Sequence, residues 1–143
     1  MVHCCDNLLI RCMDFRLEGK LHAWLENNGY VGNCDIISVA GAAKGLVNLG
    51  PDRDYLLRHI GVAVNLHGIK RVIFAQHSTC GAYAQENHFG SVAEEKSKQI
   101  EDMKTAAAAV KERFPEVEVQ VLWVELKDDA GRELEISSLP IAA

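Results

Sequence analysis

The chain has 143 residues, of which 48% are hydrophobic and 24% are charged, and its formal net charge is −5. This length suits one domain spanning residues 1–143, and the composition is ordinary for a globular protein. The acidic balance, with no run of lysine or arginine, argues against a nucleic-acid partner, because phosphate binding needs a basic surface. No apolar run approaches the roughly 20 residues of a membrane-spanning helix, and no signal-peptide pattern is seen, so we expect no membrane contact and a cytoplasmic location.

The first half of the chain alternates between short apolar runs and segments with helical spacing. Residues 8–12 predict a strand, and apolar residues then recur at helical spacing until Asn28–Gly29. Residues 36–39 predict a second strand, which the glycine-rich segment 41–50 follows as a loop. A second predicted helix ends near His67–Gly68.

The second half repeats this alternation and closes with a hairpin. Residues 72–75 predict a third strand, and a long helix is predicted from Ser91 to Pro115, with its charged residues facing solvent. A fourth strand is predicted over 117–124, a turn over 128–131 and a hairpin strand over 132–136, followed by a loose tail over 137–143.

Strands separated by helices predict an α/β fold. We expect a mostly parallel central sheet of four strands, an antiparallel edge strand, and helices on both faces. In such sheets, ligands bind beyond the carboxyl ends of the strands. The segment Cys12–Arg16 follows the first predicted strand and His77–Gly81 follows the third, so the two segments can meet in space.

Soft metal ligands are concentrated in these two segments. The chain has five cysteines, an odd number with no secretion signal, which favours metal or catalytic use over disulfides. Cys12, His77 and Cys80 supply the thiolate and imidazole ligands that zinc prefers, and the spacing of His77 and Cys80 predicts that both lie on one helical turn. Three protein ligands leave a fourth position open, as in catalytic zinc sites.

The two segments resemble the signature of the β-class carbonic anhydrases. That family has a Cys-x-Asp-x-Arg motif and a later His-x-x-Cys motif, which stand here as Cys12-Met13-Asp14-Phe15-Arg16 and His77-Ser78-Thr79-Cys80. The resemblance implies Zn²⁺ bound by Cys12, His77 and Cys80. It also implies a dyad in which Asp14 either takes the fourth zinc position, closing the site, or pairs with Arg16 so that water binds.

The resemblance further implies the reaction and the assembly. The expected function is the reversible hydration of CO2 to bicarbonate, in a pocket bordered by Phe15, Gly41 and Gly81. The expected assembly is a homodimer with the active site at its interface. Phe15 stands where the family usually has a small residue, which is a departure within the substrate pocket.

Other interpretations of the same residues stay open. The protein could bind zinc in this fold yet act on another small heterocumulene, such as carbonyl sulfide, or only bind a small anion. A structural or redox zinc site with a fourth protein ligand is a further alternative. A thiol nucleophile at Cys80 with His77 as base is disfavoured, because it leaves Cys12 and the Asp14–Arg16 pair without a role.

Residues near the N-terminus raise the question of a second metal. The vicinal pair Cys4–Cys5 lies beside His3 and could bind one, although a segment without fixed structure is the favoured interpretation. His67 is interpreted as a surface or helix-end residue and Cys34 as a core residue.

Overall fold

A five-stranded sheet organises the chain in the computed structural model, which describes residues 3–141. The strands are β1 (Asn7–Cys12), β2 (Cys34–Val39), β3 (Arg71–His77), β4 (Glu118–Leu126) and β5 (Leu134–Leu139). Their order is β2-β1-β3-β4-β5, in which the first four strands are mutually parallel and β5 is antiparallel to β4. The predicted α/β fold is therefore confirmed.

Helices connect the strands and cover both faces of the sheet. They are α1 (Glu18–Asn27), α2 (Pro51–Val62), α3 (Gly81–Ala84) and α4 (Val92–Arg113). Every residue of β1, and every residue of β3 after the first, is buried. Central parallel strands covered on both faces have this continuous burial, which explains why they stand out in the sequence as apolar runs. No helix within residues 3–141 is long and apolar enough to cross a membrane.

The ends of the helices follow the signals in the sequence. Asn28 caps α1, and Gly29 adopts a left-handed φ of 77° just beyond it. The chain leaves α2 through one wider turn, Ala63–His67, which Gly68 ends at φ 65°. Ser91 caps α4 by accepting a hydrogen bond from the Glu94 N–H at 3.2 Å.

Two segments expected to be irregular are ordered instead. The glycine-rich stretch contains a short 3-10 helix, Ala42–Leu46, whose apolar side chains are buried in the core. Residues 137–139 belong to β5, where Leu139 pairs with Val121, because the hairpin strand begins and ends later than predicted and continues along β4. Of the predicted tail, residues 142–143 lie outside the described part of the chain.

Candidate metal centre

The carboxyl ends of β1 and β3 bring two cysteines and a histidine together. Cys12 is the last residue of β1 and His77 the last residue of β3, and the two strands are parallel neighbours. Cys80 follows His77 after a short turn. One ligand atom from each of Cys12, His77 and Cys80 lies within 4.8 Å of the others, and all three residues are buried.

The predicted helical turn carrying His77 and Cys80 is wrong. His77 ends a strand, and Cys80 is an extended residue that precedes α3. Thr79, between them, has a left-handed φ of 53°. The chain therefore reverses direction within two residues, and this reversal returns the Cys80 thiol towards the end of β1. A β-branched residue in the left-handed region is strained, and such strain is common at functional sites.

The ring of His77 is oriented as in a metal ligand. Its Nδ1 lies 2.7 Å from the Ser78 carbonyl oxygen and therefore donates to it, which leaves the lone pair on Nε2. Within residues 3–141, Nε2 is buried and has no hydrogen-bond partner. Metal-bound histidines characteristically donate their other ring N–H to a fixed oxygen, so an unpaired Nε2 beside two cysteines fits a metal ligand.

The two thiols interact with each other. A hydrogen bond with the Cys80 thiol holds the pKa of Cys12 well below its usual value, although burial opposes the shift. The same hydrogen bond, together with burial, raises the pKa of Cys80. The two thiols are therefore in direct contact, and two thiolates with one imidazole form a donor set suited to zinc.

Asp14 lies beside these ligands but is held by Arg16. The Arg16 Nη2 donates to Asp14 Oδ2 at 2.8 Å, and its Nε donates to Oδ1 at 3.1 Å. The Arg16 backbone N–H also donates to Oδ1, at 2.9 Å. These hydrogen bonds hold the pKa of Asp14 below its usual value. Asp14 Oδ2 lies 3.9 Å from His77 Nε2, close to the ligands while engaged by the guanidinium.

Arg16 is itself fixed from two directions. Its Nη2 donates to the Thr79 carbonyl oxygen at 3.0 Å, and its Nη1 donates to the Asp129 carbonyl oxygen at 3.4 Å. Gly131, with φ 70°, packs so closely that an added Cβ would lie 2.7 Å from the Arg16 Cβ. The turn between β4 and β5 therefore fixes the Arg16 side chain against the site.

Glu95, in the first turn of α4, supports the candidate metal-binding segment, His77–Cys80, a role that the sequence did not predict. It is only 4% exposed, and its carboxylate accepts the backbone N–H groups of Thr79 at 2.6 Å and Cys80 at 3.0 Å. Gln99, one turn further on, donates to the His77 carbonyl oxygen at 2.9 Å. The prediction that the charged residues of this helix all face solvent is thus wrong.

Gln76 extends this buried polar network. It donates to the Gly41 carbonyl oxygen at 3.1 Å and to Gln99 Oε1 at 3.2 Å. A sequence signal for the network exists, because Glu95 and Gln99 lie four residues apart and continue the buried stripe to Met103. Polar residues on an apolar stripe are buried with partners, and here the partners are the backbone groups of the metal-binding segment.

A cavity of about 480 Å³ opens beside Cys12, one of the three candidate ligands. The predicted pocket residues Phe15, Gly41 and Gly81 all border it, together with Cys12 and Asp14. The ring of Phe15 is 84% exposed, so it stands at the mouth of the cavity and does not fill it.

Residues 3–131 match a family model described as "Putative carbonic anhydrase". The chain belongs to this family. The matched range includes Cys12, His77 and Cys80. An uncharacterized protein of Rickettsia bellii is 32% identical over 119 residues, which cover 80% of this chain and 73% of the relative.

Solved carbonic anhydrase structures share the fold. The carbonic anhydrase from Glaciozyma antarctica superposes with a TM-score of 0.58 at 20% identity, covering 95% of this chain and 83% of that one. The β-carbonic anhydrase CafA of Aspergillus fumigatus gives 0.54 at 16% identity, covering 99% and 78%. At these identities the likeness establishes the architecture, and the chain is a divergent member of the family.

Proposed function

We propose that this protein is a zinc-dependent carbonic anhydrase that catalyses the reversible hydration of CO2 to bicarbonate and a proton. The observation that carries the proposal is the buried, unpaired Nε2 of His77 beside Cys12 and Cys80, with a carboxylate held by Arg16 next to them. Cys12, His77 and Cys80 would hold the metal. Bound zinc would supply a hydroxide nucleophile by lowering the pKa of a water molecule.

Asp14 and Arg16 would control the remaining position. Asp14 would accept the hydrogen bond of the nucleophilic water and orient it towards the substrate. Arg16 would keep Asp14 in that role, because the planar guanidinium group binds both oxygens of the Asp14 carboxylate and so competes with the metal for this carboxylate. Gly41, Gly81 and Phe15 would border the space in which CO2 meets the nucleophile.

The direct test is stopped-flow CO2 hydration by the zinc-loaded protein. We expect acceleration above the buffer rate in the wild-type protein and in His22→Gln, which alters an exposed histidine of α1 that is not part of the cluster. We expect none in Asp14→Asn. A fully zinc-loaded wild-type protein that left the buffer rate unchanged would refute the proposal. Carbonyl sulfide, offered to that same sample, would then test the alternative heterocumulene substrate.

We further propose that the protein acts as a homodimer through the mouth of this cavity. Phe15 is 84% exposed and Met13 is 64% exposed, and both border the cavity. Two neighbouring large apolar side chains in water favour association, because a partner surface would remove their area from solvent.

A further inference from the structure

A second set of metal-binding side chains lies at the opposite end of the sheet. One ligand atom from each of Cys5, Asp35 and His67 lies within 4.8 Å of the others. We propose that these three residues bind a second zinc ion. The site is separate from the Cys12–His77–Cys80 cluster, and its argument does not depend on the proposed enzymatic activity.

The fold brings the three residues together from distant parts of the chain. Cys5 lies just before β1, Asp35 is the second residue of β2, and His67 ends the turn that leads into β3. Since β1 lies between β2 and β3 and all three are parallel, their amino-terminal ends meet at one edge. The Cys5 N–H donates to the His67 carbonyl oxygen at 3.1 Å and fixes the approach of the N-terminal segment. The expectation that this segment lacks fixed structure is therefore wrong.

The chemistry of the three side chains suits zinc. A thiolate, a carboxylate and an imidazole are all zinc ligands, and their two negative charges would balance a divalent cation. The side chains of His67 and Asp35 are 26% and 30% exposed, so an ion can reach them from solvent. They border a cavity of about 250 Å³ together with His3 and Cys4, which offer further donors for a fourth position.

One existing contact has to open for the ion to enter. His67 Nδ1 lies 2.6 Å from Asp35 Oδ2, which is a hydrogen-bond distance. Two ligands of a tetrahedral zinc ion, with bonds of about 2.0–2.1 Å, lie about 3.3 Å apart. The distance between His67 Nδ1 and Asp35 Oδ2 therefore has to increase by less than about 1 Å. Side-chain rotations of partly exposed groups allow such a change.

The two metal sites are far enough apart to be tested independently. Cys5 and Cys12 are seven residue steps apart along the chain, most of them within β1, which at about 3.3 Å per residue gives roughly 20 Å. A substitution at one site should leave the ligands of the other unchanged. A bound ion at the second site would tie the N-terminal segment to β2 and to the end of the helix that precedes β3.

The experiment is a zinc titration of the metal-free, full-length protein, followed by metal analysis after dialysis. We expect two zinc ions per chain in the wild-type protein and in the exposed-histidine control His22→Gln. We expect one ion per chain in Cys5→Ser, in His67→Gln and in the isosteric Asp35→Asn. Cys80→Ser should lose the other ion and retain this one.

Cobalt provides a readout that reports the ligand itself. With Co²⁺ in place of zinc, Cys5 should contribute a thiolate-to-metal absorption band that persists in the Cys80→Ser variant. This band should disappear in the double variant that carries both Cys80→Ser and Cys5→Ser. Far-UV circular dichroism would establish that each variant is folded. A folded wild-type protein that binds a single zinc ion, or a Cys5→Ser variant that still binds two, would overturn the second site.

Discussion

The Arg16 guanidinium engages both carboxylate oxygens of Asp14, with Nη2 2.8 Å from Oδ2 and Nε 3.1 Å from Oδ1. The carboxylate lies 3.9 Å from the Nε2 of His77, so the pair stands at the edge of the candidate metal centre. In the proposed mechanism, Arg16 determines whether Asp14 contacts the nucleophilic water or the metal.

Arg16→Ala should release Asp14 towards the metal. We expect zinc to stay bound and CO2 hydration to fall by at least about 10–100-fold, the usual effect of removing a group that orients a metal ligand. Arg16→Lys should restore activity only in part, because a point charge cannot reproduce the bidentate contact. Stopped-flow rates with parallel metal analysis provide the measurement. Wild-type rates in Arg16→Ala would show that Asp14 needs no such restraint.

Glu95→Gln should weaken the support of the metal-binding segment. The Glu95 carboxylate accepts hydrogen bonds from the backbone N–H groups of Thr79 and Cys80. In the variant, the side-chain NH2 group would face one of these two donors. We expect the free energy of unfolding to fall by about 1–3 kcal/mol, the cost of leaving a buried donor unpaired. Zinc affinity should fall by about 10–100-fold.

The matched control for this substitution is Glu101→Gln, on the same helix. Its carboxylate is 75% exposed and lies 3.6 Å from the Lys104 ammonium group, its one ion pair within residues 3–141. We expect it to change neither urea unfolding of the metal-free protein nor zinc affinity. Equal effects of the two substitutions would mean that the helix responds to charge and not to the hydrogen bonds of Glu95.

Gly131→Ala should displace Arg16 without touching a ligand. The added Cβ would lie 2.7 Å from the Arg16 Cβ, and φ 70° is strained for any residue with a side chain. Gly29→Ala is the control, because it has φ 77° and open space around its Cβ position. Both should lose about 1–3 kcal/mol of stability from backbone strain. Only Gly131→Ala should also lower the hydration rate per bound zinc; equal rates would mean that Arg16 adapts.

The strands and the cluster of candidate metal ligands were predictable for a physical reason. Buried parallel strands have continuous apolar cores, so the central residues of β1 and β3 appear directly in the sequence as apolar runs. Cys12 and His77 are soft ligands at the carboxyl ends of these strands, where the fold places binding sites. The strands follow from local sequence patterns. The position of the candidate ligands follows from the rule that parallel sheets bind ligands at the carboxyl ends of their strands.

The supporting residues were not predictable in the same way. The spacing of Glu95 and Gln99 continues the buried stripe of α4, but the sequence does not identify the backbone groups that pair with a buried carboxylate. The left-handed Thr79 has no residue-type signal, because β-branched residues avoid that conformation. Asp35 and His67 lie 32 residues apart and in no motif, so only the order of the strands brings them together.

Asp128 should stabilise the turn between β4 and β5 in a pH-dependent way. Its Oδ1 accepts the N–H groups of Ala130 and Arg132, and its Oδ2 accepts that of Glu133. These bonds hold its pKa below the usual value, with the Arg132 N–H contributing most. The stabilisation is therefore fully present above the unfolded-state pKa of an aspartate and is lost as the pH falls through the lower folded-state value.

Asp128→Asn tests this sign directly. The variant should be less stable than the wild-type protein at neutral pH, and the difference in unfolding midpoint should shrink as the solution is acidified. Thermal unfolding from neutral pH to about pH 3 covers the range in which aspartate titrates. A difference that stayed constant over that range would mean that the ionised carboxylate contributes nothing to the turn.

Phe15 should govern self-association. Its ring is 84% exposed at the mouth of the cavity, and burial of such a side chain is worth about 1.5–3 kcal/mol. In a symmetric dimer each substitution acts twice, so Phe15→Ser should weaken association by roughly 3–6 kcal/mol. Leu49→Ser is the control, because Leu49 is 87% exposed but does not border this cavity. Sedimentation velocity at micromolar concentration should show a dimer for the wild-type protein and for Leu49→Ser, and a monomer for Phe15→Ser. A wild-type monomer under these conditions, or a dimer that Phe15→Ser leaves intact, would place the interface elsewhere or remove it.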